Sequence, residues 1–171
     1  MEQRSEADQI IRRHAILAAT AGLIPVPYVD IATVTAMQLD MLRQLAKHYG
    51  ADFDDDMGKS FVTALSGGLL ARMGGSLVKS IPGIGSLLGG ISVAVFSGAS
   101  TYAVGQVAKT QFEQDESLID INIDRARSTY EQAMARGRAF IERYTTEKQA
   151  GNDLVERLQK LQEAYDKQLI S

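Results

Sequence analysis

The stretch SIPGIGSLLGGISVAVFSGASTYAVGQVA, residues 80 to 108, decides the fold, because none of its 29 residues carries a charge. If it were wholly helical it would rise about 43 Å, whereas the hydrocarbon core of a bilayer measures roughly 30 Å. Helical periodicity also dominates the flanking sequence. The stretch therefore predicts helices that either contact a membrane or form the centre of a helical bundle.

Glycines are the second feature of this apolar region. Each glycine inside a helix costs about 1 kcal/mol relative to alanine, and the usual compensation is a close approach of two helix backbones. We therefore predict a glycine-rich helical hairpin whose closely packed positions form an interface. The glycines expected there are Gly85, Gly89, Gly90, Gly98 and Gly105.

Two Ile-Pro turns divide the apolar part of the chain into two hairpins. A first helix is expected from Ser5, as its cap, to Gly22, and Pro25 and Pro27 should then reverse the chain. Because proline is tolerated in the first turn of a helix, Pro27 can open a second helix that ends at Tyr49, with Gly50 as a left-handed cap.

The second hairpin should turn at Pro82. Four aspartates between residues 52 and 56 favour the start of a third helix, since negative charge stabilises a helix N-terminus. This helix should run to Ser80, and a fourth helix should end near Gln114. The next residues, 118 to 123, alternate as in a short strand.

The polar tail predicts a coiled-coil-like arm. Apolar residues from Ala126 to Tyr144, including Tyr130 and Phe140, step by four and three, which is the spacing of a seam for a helical partner. The pattern repeats from Leu154 to Tyr165 after an expected break at residues 151 to 153. The fold class is thus all-α, with an apolar hairpin domain at residues 1–114 and an amphipathic tail at 115–171.

No pattern in the sequence predicts an active site or a cofactor. Gly58-Lys59-Ser60 ends like a phosphate-binding loop, but the required earlier glycine is Phe53. The aspartates beside it resemble a calcium loop that lacks the glycine and glutamate such a loop requires. His14 is interpreted as a structural histidine that could pair with Asp30 across the proline turn. We expect no catalytic, metal or cofactor site.

Composition restricts the location and the partners. The net charge of -3 and pI of 5.4 provide no basic field for nucleic acid. The absence of cysteine fits a reducing compartment, and the charged N-terminus does not resemble a secretory signal. We expect a protein on the cytoplasmic side that is not secreted and that associates with the inner membrane if its hairpin contacts lipid.

The run from His14 to Asp30, HAILAATAGLIPVPYVD, resembles the bacterial YcjF-like domain of unknown function. The similarity continues at Gln38 and Met41 and resumes at Gly98-Ala99-Ser100-Thr101-Tyr102-Ala103-Val104-Gly105, so it spans about Ile10 to Phe140. Members are often encoded beside small GTPase domains or fused behind them, and are commonly labelled membrane proteins. The resemblance implies a helical module that works with a GTPase, and it brings no catalytic residues.

Three functions stay open from the sequence. The preferred one is a non-enzymatic module, membrane-associated or self-assembling, that is an adaptor or effector of a GTPase. The second is a pore-forming or membrane-perturbing protein, and the third is a soluble helical scaffold. The expected partners are a GTPase, membrane lipid, and a second copy or another helical protein.

Overall fold

The computed structural model describes residues 2–21, 31–77, 93–114, 116–118 and 121–169, and this part of the chain is helical without a strand. Side chains are described for most of these residues, though not for 67–77 or for most of the chain after 153. The helices are α1 (Glu2–Ala21), α2 (Ile31–Tyr49), α3 (Asp55–Leu77), α4 (Val93–Phe112) and α5 (Ile123–Leu169). The predicted all-α fold class is confirmed.

By packing, the chain divides into two compact units, Met1–Ile141 and Glu142–Ser171. The first unit contains α1 to α4 and the beginning of α5. The second unit is the remainder of α5, where the hydroxyls of Thr145 and Thr146 donate hydrogen bonds to the backbone oxygen of Glu142. The division that we expect after residue 114 stays a prediction.

Helix α4 lies at the centre of the first unit, and every described side chain from Ala94 to Glu113 is buried or half-buried. It runs antiparallel to α1, because Asp8 contacts Lys109 while Ala15 faces Gly98. It runs parallel to α2, whose Gln38 reaches Thr101. A central helix surrounded on its sides explains why residues 94 to 108 lack charge.

The helices α1, α2 and α3 that pack around α4 alternate in direction along the chain. Helices α1 and α2 are antiparallel, since Glu6 pairs with His48 and His14 pairs with Asp40. Helices α2 and α3 are antiparallel as well, because Arg43 lies 2.7 Å from Asp55. The chain therefore reverses between α1 and α2, as the two prolines predict, although residues 22 to 30 lie outside the described part.

Helix ends follow local sequence signals in several places. Gly50 has a φ of 69° after α2, a left-handed conformation that glycine adopts without strain. The side chain of Asp54 accepts hydrogen bonds from the backbone nitrogens of Asp56 and Met57, both at 2.9 Å, and so caps α3. Asn122 caps α5 in the same way, through the backbone nitrogen of Arg125.

Three boundary predictions are wrong. Helix α1 begins at Glu2 and not at Ser5, because Glu2, Gln3 and Arg4 favour helix and an acidic first turn suits its dipole. The connector before α5 forms no strand where it is described. The expected break at residues 151 to 153 does not occur, since one glycine costs only about 1 kcal/mol among good helix formers.

Candidate functional site

Helices α1 and α4 cross closely at two of the predicted glycines. A Cβ atom added to Gly98 would lie 2.8 Å from the backbone oxygen of Ala15 and 2.9 Å from the Cβ of Ala19. At Gly105 the nearest atoms would be Cγ1 of Ile11, at 2.8 Å, and Sδ of Met41, at 3.0 Å. These two glycines therefore pack α4 against helices of its own chain.

A buried polar layer joins three helices in the core. Nε2 of Gln38 on α2 donates to the hydroxyls of Ser100 and Thr101 on α4, at 3.5 and 3.4 Å. Ser100 lies 2.9 Å from the hydroxyl of Tyr130 on α5. Burial raises the pKa of Tyr130 above 10.0, although the hydrogen bond with Ser100 opposes the shift. None of the buried side-chain oxygen or nitrogen atoms of the described residues lacks a hydrogen-bond partner, and the layer links α2, α4 and α5.

His14 lies buried between α1 and α2. Its Nδ1 is 2.8 Å from the backbone oxygen of Ile10, and its Nε2 is 3.0 Å from Oδ2 of Asp40. Both of these oxygen atoms are hydrogen-bond acceptors, and Nε2 of Gln44 lies 3.5 Å from the same Nε2 of His14. The hydrogen bond with His14 is the main cause that lowers the pKa of Asp40, against a smaller effect of burial. The predicted partner, Asp30, lies outside the described residues, and Asp40 occupies this position instead.

The seam of the tail helix contacts α4 of the same chain. Tyr130 is buried, and Gly137 lets α5 approach so closely that an added Cβ would lie 3.0 Å from the backbone oxygen of Ala99. Phe140 is half-buried, with its ring centroid 6.0 Å from that of Tyr102. The guanidinium of Arg12 lies 5.7 Å above the Phe140 ring, a cation–π distance.

One end of the first unit is apolar. The helix directions bring Ala21, Ile31, Leu77 and Val93 to this end, which we call the apolar end. Between Ala15 and Leu39 the sequence has one charged residue, Asp30, and residues 80 to 108 have none, whereas the sequence around the end of α3 carries Arg72 and Lys79. Leu17 on α1 is the large hydrophobic residue that remains exposed in the described part, at 49 %.

Several predicted interface residues lie outside the described residues, although the helix ends that flank them are at the apolar end. They are Pro25, Pro27, Asp30, Pro82, Gly85, Gly89 and Gly90. Their predicted role in an interface stays a prediction. Among the described helices, none is both long enough and apolar enough to cross a membrane.

The opposite end of the unit is acidic. Asp52, Asp54, Asp55 and Asp56 are all exposed there. Arg43 and Lys59 pair with two of them, Asp55 at 2.7 Å and Asp56 at 3.1 Å. Within the ranges that the structure describes, no group of three potential metal ligands comes together.

The glycine of the Gly58-Lys59-Ser60 motif has a packing role. A Cβ atom at Gly58 would lie 2.7 Å from Cζ of Phe53 and 2.8 Å from Cδ2 of Leu39. Lys59 is exposed and pairs with Asp56. The motif therefore lies within a helix that packs against a phenyl ring, where no phosphate-binding loop forms.

Two residues of the site, Gln38 and Asp40, have roles that the sequence did not predict. Gln38, a polar residue in an apolar segment of α2, is buried in the polar layer. Asp40 follows it by two positions and holds His14. The signal for Asp40 was available, because it lies on the α2 face that α1 covers in an antiparallel hairpin.

Comparison with known proteins gives one family and one named relative. The family described as "Domain of unknown function (DUF697)" matches residues 1–138. The chain is 34% identical over 149 residues to "Magnetosome membrane protein 22" of Magnetospirillum gryphiswaldense, which covers 84% of this chain and 76% of that protein. No solved structure matches the chain.

Proposed function

Because this chain belongs to the family described as "Domain of unknown function (DUF697)", we propose that it is a non-enzymatic helical module that associates with a membrane and serves a GTPase as adaptor or effector. The membrane part is supported by the name of the related magnetosome membrane protein. The GTPase part is supported by the YcjF-like resemblance.

The observation that carries the proposal is the apolar end. The sequence between Ala15 and Leu39, which includes the exposed Leu17, has one charged residue, and α4 starts at this end within the uncharged stretch 80 to 108. Burial of apolar surface gives about 25 cal/mol per Å², so insertion of this end into the outer part of a bilayer is favourable. The acidic residues at the opposite end would be repelled by anionic lipid, which orients the module with its apolar end toward the membrane.

The central position of α4 limits how the module meets the bilayer. Its residues from Ala94 onward are covered by helices of the same chain and joined by the polar layer of Gln38, Ser100 and Tyr130. Contact through the apolar end leaves this core intact. A pore-forming function would require α4 itself to insert into the bilayer. For that, the hydrogen bonds of the polar layer would have to break.

Liposome flotation of Leu17→Glu tests the membrane part. A glutamate at this exposed position is expected to weaken flotation with vesicles that contain anionic lipid, because a charge must then be brought to the bilayer surface. Ser5→Glu is the matched control, since it adds the same charge to the exposed face at the other end of α1. Flotation of Leu17→Glu equal to that of the wild type would contradict the proposal.

Two further measurements separate the alternatives. Release of an encapsulated dye from the same vesicles would favour a membrane-perturbing protein, whereas flotation without release supports an adaptor. Affinity capture from cell extract in a GTP analogue and in GDP tests the GTPase part. Retention of a GTPase that depends on the nucleotide supports an effector, and the absence of any GTPase under both conditions would refute it.

A further inference from the structure

An open apolar groove of about 440 Å³ lies at the acidic end, between the first turns of α3 and the connector that leads into α5. Phe61 and Leu118 form its floor and are 2% and 3% exposed. Met57, Ile121 and Ile123 are half-buried along it. Met57, Ile121 and Ile123 therefore supply most of the apolar surface that an entering group would contact, with Ala64 and the exposed Ser60 also in the lining.

Carboxylates line the rim of this groove. Asp54 and Asp56 belong to its lining; Lys59 pairs with Asp56 at 3.1 Å, but no basic side chain among the described residues lines the groove itself. Asp54 already compensates the positive end of the α3 dipole, because it accepts two backbone hydrogen bonds there. Asp52, two residues before Asp54 in sequence, is exposed as well. The rim is therefore negative around an apolar floor.

We infer that this groove binds a basic amphipathic helix of a partner protein. An amphipathic helix places an apolar stripe in such a groove through residues spaced by three and four. Lysine and arginine on its flanks extend their apolar stems over the walls and bring their charges to the carboxylates. An acidic helix would meet repulsion at the same rim. The inference rests on the proposed adaptor function and deepens it by naming the surface that the partner occupies.

The position of the groove permits both contacts at the same time. Helix α3 begins at the end of the unit where α2 and α4 end, and the apolar end lies at the other extremity of these helices. A module attached to the bilayer by its apolar end therefore presents the groove away from the lipid.

Two synthetic helices can serve as probes. Both have about 18 residues, which is five turns at 3.6 residues per turn, and share one leucine stripe; the polar face carries lysine in the first and glutamate in the second. We expect the lysine peptide to bind at least about tenfold more tightly in fluorescence anisotropy. Its affinity should fall with salt, because exposed charges are screened within about 10 Å at 0.1 M ionic strength. The methyl resonances of Met57, Ile121 and Ile123 should shift on binding.

Three variants locate the binding surface. Ile121→Glu should weaken the lysine peptide about tenfold, a loss of about 1.4 kcal/mol, and Leu17→Glu is its control because it makes a comparable change at the other end. The double variant Asp52→Asn/Asp56→Asn should weaken binding and reduce its salt dependence without changing the apolar surface. If circular dichroism shows that Ile121→Glu is not folded, the double variant alone tests whether the peptide binds in the groove.

The outcomes distinguish this inference from the proposed function. Equal affinity for the two peptides, methyl shifts elsewhere in the protein, or unchanged binding by the double variant would each overturn the groove as a site for a basic helix. Ile121→Glu should still float with liposomes as the wild type does, while Leu17→Glu should still bind the lysine peptide. Failure of flotation alone leaves the groove supported and refutes membrane association.

Discussion

Gly98 on α4 faces the backbone of α1 so closely that a Cβ atom there would lie 2.8 Å from the carbonyl oxygen of Ala15. Such a separation is shorter than real Cβ contacts, so the hydrogen of glycine is the only side chain that fits. The glycine costs α4 about 1 kcal/mol in helix propensity. This cost is compensated by a close crossing of α1 and α4, in which the small residues Ala15 and Ala19 pack against the glycine.

Gly98→Ala is expected to lower the free energy of unfolding by about 1–3 kcal/mol, the usual cost of overpacking. The obstructing atom at Ala15 belongs to the backbone, and Ile141 closes another side at 2.9 Å, so α1 and α4 must move apart. Urea unfolding followed by circular dichroism measures the loss. An unchanged urea midpoint for Gly98→Ala would show that α1 and α4 can move apart without loss of stability.

Two other glycines provide matched controls for that measurement. Gly151 has no atom within 4 Å of its added Cβ, so Gly151→Ala should raise helicity and gain about 0.5–1 kcal/mol of helix stability. Gly105→Ala should cost less than Gly98→Ala, because no backbone atom is among its nearest neighbours, although the buried, β-branched Ile11 has little freedom to rotate. A larger loss at Gly105 would contradict this order.

Local signals in the sequence were sufficient for much of the fold. The uncharged stretch of residues 80 to 108 predicts helices that either contact a membrane or form the centre of a bundle, and α4 is covered along its described length. Gly50 predicts the end of α2 because the left-handed conformation selects glycine. The spacing of Ala126, Tyr130 and Gly137 identifies the face of α5 that packs inward.

The errors arise where long-range context outweighs a local signal. Gly151 resembles a helix stop, yet its cost of about 1 kcal/mol is smaller than the propensity of the surrounding residues. The contact of His14 with Asp40 depends on the antiparallel pairing of α1 and α2, and the pairing with Asp30 that the sequence suggests stays a prediction. The packing role of Gly58 depends on where the ring of Phe53 lies, and a sequence does not state that position.

Asp40→Asn tests the pairing with buried His14. The pKa of Asp40 lies below its ordinary 3.8, chiefly because of the hydrogen bond with His14. The carboxylate therefore stabilises the fold above about pH 3.8, and this contribution is lost as the pH falls through the lower pKa of the folded state. We expect Asp40→Asn to cost about 1 kcal/mol at pH 7, with the difference from the wild type vanishing in acid.

The measurement for Asp40 is urea unfolding at pH 7 and near pH 3, with the exposed Asp153→Asn as control. Asp40 is about half exposed, at 51% of its side chain, so solvent screening limits the effect. A loss of the same size at both pH values would mean that the contact does not depend on the charge.

Tyr130→Phe tests the polar layer. Removal of the hydroxyl takes one partner from Ser100 and leaves it the longer contact with Gln38, at 3.5 Å, so we expect a loss of about 1 kcal/mol at pH 7. The pKa of Tyr130 is raised by burial, and the stability associated with it is therefore present below pH 10 and lost as the pH rises further. The difference in the free energy of unfolding between the wild type and Tyr130→Phe should therefore become smaller above pH 10, as measured by urea unfolding. If this difference became larger above pH 10, the burial of the Tyr130 hydroxyl would be contradicted.

Asp54→Ala tests whether the aspartates before α3 act as a helix cap. The carboxylate of Asp54 accepts two backbone hydrogen bonds at 2.9 Å, and loss of such a cap costs about 1 kcal/mol, with a range of roughly 0.5–2. Asp54→Asn should retain most of the stability, because asparagine caps helices about as well as aspartate. Asp55→Ala is the control: it removes an exposed pair with Arg43, worth about 0–1 kcal/mol, and one negative charge from the first turn, but no backbone hydrogen bond. Chemical unfolding should therefore rank Asp54→Ala as the least stable of the three variants. If Asp55→Ala proved less stable than Asp54→Ala, the ion pair with Arg43, and not the cap, would hold α3 against α2.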